Sequence, residues 1–100
     1  MDWDDLRYVL AIQRERTLTD AAASLGVTRT TVGRRLKDVE ERLAARLFDR
    51  TLDGLVPTVA GDDLVETALR VEGEILVAEG RILGRDVALG GRLRVSTVDF

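Results

Sequence analysis

The segment from Leu18 to Arg50 constrains the fold of this chain more than any other part. Its sequence, LTDAAASLGVTRTTVGRRLKDVEERLAARLFDR, contains a short helical pattern, a glycine at position 26 and a longer helical pattern. Gly26 suits a left-handed helix end, and Thr28 suits the cap of the helix that follows. A short helix, a tight turn and a longer helix that starts with hydroxyls and arginines together predict a helix-turn-helix, whose second helix enters the major groove of DNA.

Apolar periodicity predicts three helices in the first half of the chain. Residues 3–15 form an amphipathic pattern that begins with aspartates, where the helix dipole favours negative charge. The second helix is expected to start after Thr17 or Thr19 and to end near Leu25. The third has an apolar stripe, and Leu47-Phe48 is expected to close it against the core; the stripe consists of Val32, Leu36, Val39, Leu43 and Leu47.

Residues 49–58, DRTLDGLVPT, predict a β-hairpin with Asp53-Gly54 as its two-residue turn. A hairpin directly after a recognition helix is the wing of a winged helix. The fold class predicted is therefore mostly α, a winged helix-turn-helix with a small β-hairpin wing and a long C-terminal linker helix. The expected organisation is a DNA-binding domain at 1–58, a dimerisation helix at 59–89, and a hinge with the first strand of a further domain at 90–100.

The long helix carries two apolar rows at coiled-coil spacing. The first is the predicted dimer seam, formed by Leu64, Ala68, Val71, Ile75, Ala78 and Ile82. The second repeats every seven residues and consists of Leu69, Leu76 and Leu83. A seam this broad can serve both a partner helix and the domain itself, so we predict a homodimer.

Composition excludes several classes of protein. The chain has no cysteine and no histidine, which removes disulfides, zinc fingers and the commonest general base. Its start, MDWDD, lacks a signal-peptide pattern, and no apolar run is long enough to span a membrane. We therefore expect a cytoplasmic protein without a membrane segment, a metal or a cofactor, and not an enzyme.

The net charge of −3 argues against nucleic acid binding, but its distribution argues for it. Residues 28–50 hold seven basic and four acidic groups, a net of +3, whereas the segments before and after carry −2 and −4. A local positive field is what attracts phosphate. The alternative is a solvated helix face with ion pairs such as Asp38–Arg42.

The residues expected to contact DNA lie at the start of the third helix and in the wing. Direct reading of guanine suits Arg29 and Arg34, and contact with thymine or phosphate suits Thr30 and Thr31. Thr28 can cap the helix, contact phosphate, or both, and Arg35 and Lys37 are assigned to phosphates. Arg50 is expected to reach phosphate or the minor groove, with a salt bridge to Asp49 or Glu41 as the alternative.

These residues resemble the N-terminal part of LysR-type transcriptional regulators, a bacterial family, over nearly the whole chain. The motifs that carry the resemblance are Leu6–Ile12, Leu18-Thr19-x-Ala21-Ala22-x-x-Leu25-x-Val27-Thr28, Val39-Glu40-Glu41-x-Leu43-x-x-x-Leu47-Phe48-x-Arg50-Thr51, Pro57-Thr58-x-Ala60-Gly61 and Gly90-x-Arg92-Leu93-Arg94-Val95. The resemblance implies a transcription factor that binds operator DNA as a dimer. A tetramer is left open for the full-length protein, and a small-molecule effector is expected only in a domain outside this chain.

Three departures from the family pattern fall in the recognition helix. Arg29-Thr30-Thr31 replaces a common Gln-Pro-Ala run, Gly33 replaces a serine, and Ala44 replaces a late glycine. These changes are expected to fall on the base-facing turns, so they bear on the operator sequence and not on the docking mode. Gly33 is expected to let a DNA backbone or sugar come close.

The main alternative function is a winged helix used only for protein contact and dimerisation. Weak, salt-insensitive DNA binding would favour it over a DNA-binding regulator. An enzyme is the third class, and the chain has no glycine-rich phosphate loop or evident pair of carboxylates to support it.

Overall fold

The computed structural model describes the backbone of residues 1–90 and the side chains of residues 1–84. Its elements in chain order are α1 (Trp3–Glu15), α2 (Leu18–Leu25), α3 (Arg29–Leu43), β1 (Phe48–Thr51), β2 (Gly54–Pro57) and α4 (Val59–Gly90). The two strands form one antiparallel hairpin. The predicted winged helix-turn-helix with a long C-terminal helix is thus confirmed, while the strand expected at 92–98 lies outside the described residues.

Local capping explains where the first three helices begin. Asp2 caps α1 in a reciprocal box, in which its side chain accepts from the Asp5 backbone and the Asp5 side chain accepts from the Asp2 backbone. Thr17 caps α2 through Asp20 N–H, and Thr28 caps α3. Gly26 ends α2 at φ 72°, the left-handed conformation that the sequence predicted.

The recognition helix α3 ends earlier than predicted. Ala44 adopts the left-handed conformation at φ 53° and stops the helix at Leu43. Leu43 is 40% exposed, whereas Leu47, which lies in the loop after α3, is fully buried. Leu47 and Phe48 are buried in the core as expected, but they lie in the loop and in β1, so the expectation that they close the helix was wrong.

The hairpin turn also lies one residue earlier than predicted. Thr51 pairs with Gly54, so Leu52 and Asp53 are the turn residues and Gly54 begins β2. Neither turn residue has a positive φ, but Gly54 has φ 105°. The left-handed residue thus follows the turn, as in a type I turn with a glycine bulge.

Met1–Leu69 form one compact unit with a single apolar core. Within it α1 packs against α2, α3 and β2, and α2 packs against α3. The small side chains of Ala21 and Ala22 are buried where these helices meet. The remaining buried apolar residues are Leu6, Tyr8, Val9, Leu10, Ala11, Ile12, Val32, Val39, Leu47, Phe48, Leu55, Val65 and Ala68.

The start of α4 fixes the loop that follows α3. The Leu47 carbonyl accepts from Thr58 N–H at 2.9 Å, and Leu47 N–H donates to the half-buried Glu40 carboxylate at 2.8 Å. A Cβ at Gly61 would overlap that carbonyl oxygen, so this position requires glycine. The hydrogen bonds of Leu47 to Glu40 and Thr58 thereby fix the loop that connects the recognition helix to the wing.

The predicted dimer seam on α4 is unevenly exposed. Ala68 is already fully buried within the first compact unit, whereas Ile82 is 56% exposed. The other four seam residues, Leu64, Val71, Ile75 and Ala78, are half-buried. Leu76 and Leu83 of the second row are 60% and 63% exposed. Although α4 has 32 residues, neither it nor any other described helix carries an apolar run that could cross a membrane.

Candidate nucleic-acid interface

The exposed face at the start of α3 is formed by Thr30, Arg34 and Lys37, all solvent-exposed as predicted. Spacings of three and four residues place these side chains along one side of the helix. Arg34 borders a surface cavity that Asp38 and residues at the start of α1 also line. Arg34 nevertheless forms no ion pair within the described part of the chain, so its guanidinium is available to a ligand.

Thr28 and Thr31 are engaged with each other at the start of α3. The Thr28 hydroxyl oxygen accepts from Thr31 N–H at 3.2 Å and lies 2.9 Å from the Thr31 hydroxyl oxygen. This confirms the capping role of Thr28 and leaves a phosphate contact as an additional prediction. Thr30 is exposed and therefore presents the freer hydroxyl.

Gly33 is half-buried and faces α2. A Cβ at this position would lie 3.7 Å from Leu18 Cδ1, an ordinary packing distance. The backbone therefore has room for a small side chain. The close approach of DNA expected at Gly33 stays a prediction.

Arg35 is held by α1. Its guanidinium donates to Asp5 at 2.9 Å, lies 3.3 Å from an Asp4 carboxylate oxygen, and sits 4.7 Å from the centre of the Tyr8 ring. The hydrogen bond from Arg35 lowers the pKa of Asp5, and the same bond raises the pKa of Arg35. A phosphate would have to compete with these carboxylates, so the structure gives Arg35 a role in joining α1 to α3.

Two arginines in or next to the wing, Arg46 and Arg50, differ in their contacts. Arg46 pairs with Asp49 and donates to the Phe48 carbonyl at 3.3 Å. Arg50 has no ion pair in the described part of the chain and is exposed, so the salt bridge considered for it at Asp49 is taken by Arg46. The pairing Asp38–Arg42 is likewise not formed among the described side chains.

The charges of α3 are divided along its length. Residues 29–37 contain Arg29, Arg34, Arg35 and Lys37 and no acid, whereas residues 38–43 contain Asp38, Glu40, Glu41 and one arginine. The positive end is also the N-terminal end, where the helix dipole adds to the attraction for anions. The face that can meet phosphate is therefore the first half of the helix.

Arg29 and Arg50 are brought together at the wing side of the recognition helix. Both line one surface cavity, together with Arg16 from the end of α1. Sequence reasoning missed Arg16, because it looks like an ordinary exposed residue after an amphipathic helix. Its left-handed backbone, at φ 70°, turns the chain from α1 into α2 and places it at this cavity.

More than half of the chain matches the sequence model of a bacterial protein family. The sequence model described as "Bacterial regulatory helix-turn-helix protein, lysR family" matches residues 3–62, from α1 to the start of α4. The chain belongs to this family.

Curated relatives in the LysR family comparison include the HTH-type transcriptional regulator PgrR of Escherichia coli K12. It is 30% identical over 95 residues, which cover 95% of this chain and 32% of PgrR. The chain thus spans about a third of the length of that relative, and less than half of the length of two other curated relatives.

Solved structures show the same fold as this LysR-family chain. A crystal structure of a CbnR DBD–DNA complex has a TM-score of 0.68 and 29% identity, covering 90% of this chain and 99% of that one. Full-length LysG from Corynebacterium glutamicum, with bound effector Arg, has a TM-score of 0.79 and 26% identity, covering 85% of this chain and 29% of LysG.

Proposed function

We propose that this chain is the DNA-binding part of a LysR-type transcriptional regulator that recognises operator DNA sequence-specifically. The observation that carries the proposal is the exposed face at the start of α3, where Thr30, Arg34 and Lys37 lie together and neither Arg34 nor Lys37 has an ion pair in the described part of the chain. A helix of this kind fits the major groove with its first turns against base edges. The CbnR DBD–DNA complex, a solved structure of the same fold, supports DNA as the partner.

Within this docking, Arg34 reads bases and Lys37 holds phosphate. A guanidinium can donate two parallel hydrogen bonds to guanine O6 and N7, while an ammonium acts as a point charge. Thr28, Thr30 and Thr31 lie at the same helix start, where phosphates and thymine methyl groups are within reach. Arg50 extends the contact from the wing.

A homodimer through α4 completes the proposal. The seam of Leu64, Ala68, Val71, Ile75, Ala78 and Ile82 and the leucine row beside it leave large apolar side chains exposed, with Leu69 at 46% and Leu76 at 60%. Burying such surface against a second copy stabilises the pair and places two recognition helices on two half-sites. Effector binding and higher assembly are assigned to the part of the full-length protein outside this chain.

The salt dependence of DNA affinity tests the proposal. The chain is acidic overall, so binding has to come from local phosphate neutralisation. If a dimer neutralises roughly six to ten phosphates, log K against log salt should slope at about −5 to −9. A flat dependence, together with equal affinity for all duplexes, would leave only the winged helix used for protein contact.

A further inference from the structure

The cavity beside the wing has an unusual charge composition. It is lined by Arg16, Thr17, Thr19, Arg29 and Arg50 with neighbouring wing residues, and no carboxylate residue lines it. Its volume of about 270 Å³ leaves room for a group much larger than one water molecule. Three cations and several hydroxyls without a counter-charge form an environment suited to an anion.

Two other arginines of the unit, Arg35 and Arg46, are paired with carboxylates. Arg35 has two aspartates and Arg46 has one, so the chain provides carboxylates where an arginine is structural. Arg29 and Arg50 have no ion pair in the part of the chain that the structure describes, and both are exposed. Their charges therefore lack a structural partner and are available to an external one.

The cavity walls are fixed by the backbone. Leu55 N–H donates to the Arg16 carbonyl at 2.7 Å, which ties β2 to the end of α1. Gly54 passes so close that a Cβ there would lie 2.7 Å from the same carbonyl oxygen. The α2 cap at Thr17 closes the third side, and the first N–H groups of α2 lack partners within the helix. The backbone that carries these cations is thus fixed before any ligand arrives.

We propose that this cavity, on the basis of the DNA-binding function above, holds one phosphate of the DNA backbone between Arg29 and Arg50. It borders both the first residue of the recognition helix and the wing, which are the two parts that approach DNA. At 3.6 residues per turn, Arg29 lies about 140° around the helix axis from Arg34, so the two side chains face different parts of the duplex. Arg29 therefore clamps phosphate, and base reading belongs to Arg34 and Thr30.

A scan with neutral methylphosphonate linkages tests this assignment. The probe is a duplex that the chain itself selects from a random library, with one linkage neutralised at a time. In the wild-type chain, neutralising one particular linkage per half-site should lower the affinity. Neutralising that same linkage should have no effect, that is, be silent, in both Arg29→Ala and Arg50→Ala. Each variant should bind all duplexes about tenfold or more weakly, with unchanged base preference. Arg81→Ala, which removes the same charge from α4, is the control and should keep the wild-type pattern.

The double variant sharpens the test. If both arginines hold one phosphate, removing both should reduce the salt slope by about one per protomer, and not by two. Different silent linkages for the two variants, or a relaxed base preference in Arg29→Ala, would overturn the proposal. A wild-type chain that selects no duplex at all would instead contradict the DNA-binding function itself.

Free inorganic phosphate is the other ligand that this cavity could bind in place of a DNA phosphate. Thermal unfolding in inorganic phosphate and in chloride at equal ionic strength distinguishes it. Stabilisation by phosphate that depends on Arg29 and Arg50, combined with no shared silent linkage, would show a site for free phosphate and contradict a DNA clamp.

Discussion

The backbone N–H of Leu55 in β2 donates to the carbonyl oxygen of Arg16 at the end of α1, over 2.7 Å. This bond joins the wing to the corner between α1 and α2. Because both partners are backbone groups, the position of the wing depends on how closely the β2 backbone approaches the backbone at the end of α1. Gly54, directly before Leu55, makes that approach feasible.

Gly54→Ala should displace the wing. The residue has φ 105°, and an added Cβ would lie 2.7 Å from the Arg16 carbonyl oxygen. We expect a loss of about 1–3 kcal/mol in the free energy of unfolding and weaker binding to every duplex. Urea unfolding and DNA titration measure the two effects, with Asp53→Ala in the turn as the control. Wild-type stability and affinity in Gly54→Ala would show that the close contact is not formed.

Ala44→Gly should stabilise the protein. Ala44 ends α3 at φ 53°, a conformation that costs a residue with a Cβ about 1–2 kcal/mol, while glycine adds entropy to the unfolded chain. The net expected gain is about 0.5–1 kcal/mol in urea unfolding. Ala45→Gly is the matched control, since Ala45 has no positive φ, and it should destabilise. A loss of stability in both variants would contradict the left-handed assignment.

These positions show what the sequence could and could not predict. The cap at Thr28 and the glycine end at Gly26 follow from local chemistry and were predicted, and Thr17 was one of the two caps expected for α2. The end of α3 was not, because alanine gives no stop signal and the apolar spacing continues to Leu47. The turn at Asp53-Gly54 was misplaced because the conformation of Gly54 is tied to a carbonyl in α1.

The candidate site divides in the same way. Helical spacing was sufficient to predict the exposed face with Thr30 and Arg34. It could not show that Arg35 is taken by Asp5, thirty residues earlier in the chain. Nor could it show that Arg16 and Arg50 share a cavity, since that depends on how the wing folds back.

Arg35→Met should remove an acid-sensitive contribution to stability. The Arg35 hydrogen bond lowers the pKa of Asp5 below its ordinary value of 3.8, so the ionised pair stabilises the fold above that pH and is lost as the pH falls through the lowered value. We expect a loss of about 1–2 kcal/mol at neutral pH that shrinks below pH 3.8. Arg7→Met, which breaks an exposed pair with Asp4, is the control and should change little. A difference independent of pH would mean that Arg35 acts through Tyr8 packing alone.

Arg34→Ala should relax sequence discrimination, whereas Lys37→Ala should only weaken binding. Loss of a guanine contact is expected to cost about 1–3 kcal/mol on the operator and to remove preference at one base pair per half-site. Loss of the lysine should weaken all duplexes equally and reduce the salt slope by about one per protomer. Titrations on an operator and its single-base variants at two salt concentrations separate these effects. Uniform weakening by Arg34→Ala would reassign Arg34 to phosphate and leave base reading to Thr30.

Ile75→Asp should convert the dimer into monomers, because it would bury a charge in the proposed seam. Leu76→Asp should do so more completely, since Leu76 is 60% exposed in the single chain and has more surface for a partner to cover. Glu74→Gln, on an exposed neighbouring position, should leave the dimer intact. Sedimentation measures all three. A dimer that survives Ile75→Asp but not Leu76→Asp would move the seam to the leucine row.

The division of charge along α3 sets a limit on how deeply the helix can enter DNA. Its 15 residues extend about 22 Å, while the major groove is about 12 Å wide. Only the basic first half fits between the two phosphate walls. Further insertion would bring Asp38, Glu40 and Glu41 against those walls, and like charges would push the helix back. In the proposed complex, the acidic half of the recognition helix would therefore limit how deeply α3 enters the groove and would keep the same few side chains at the bases.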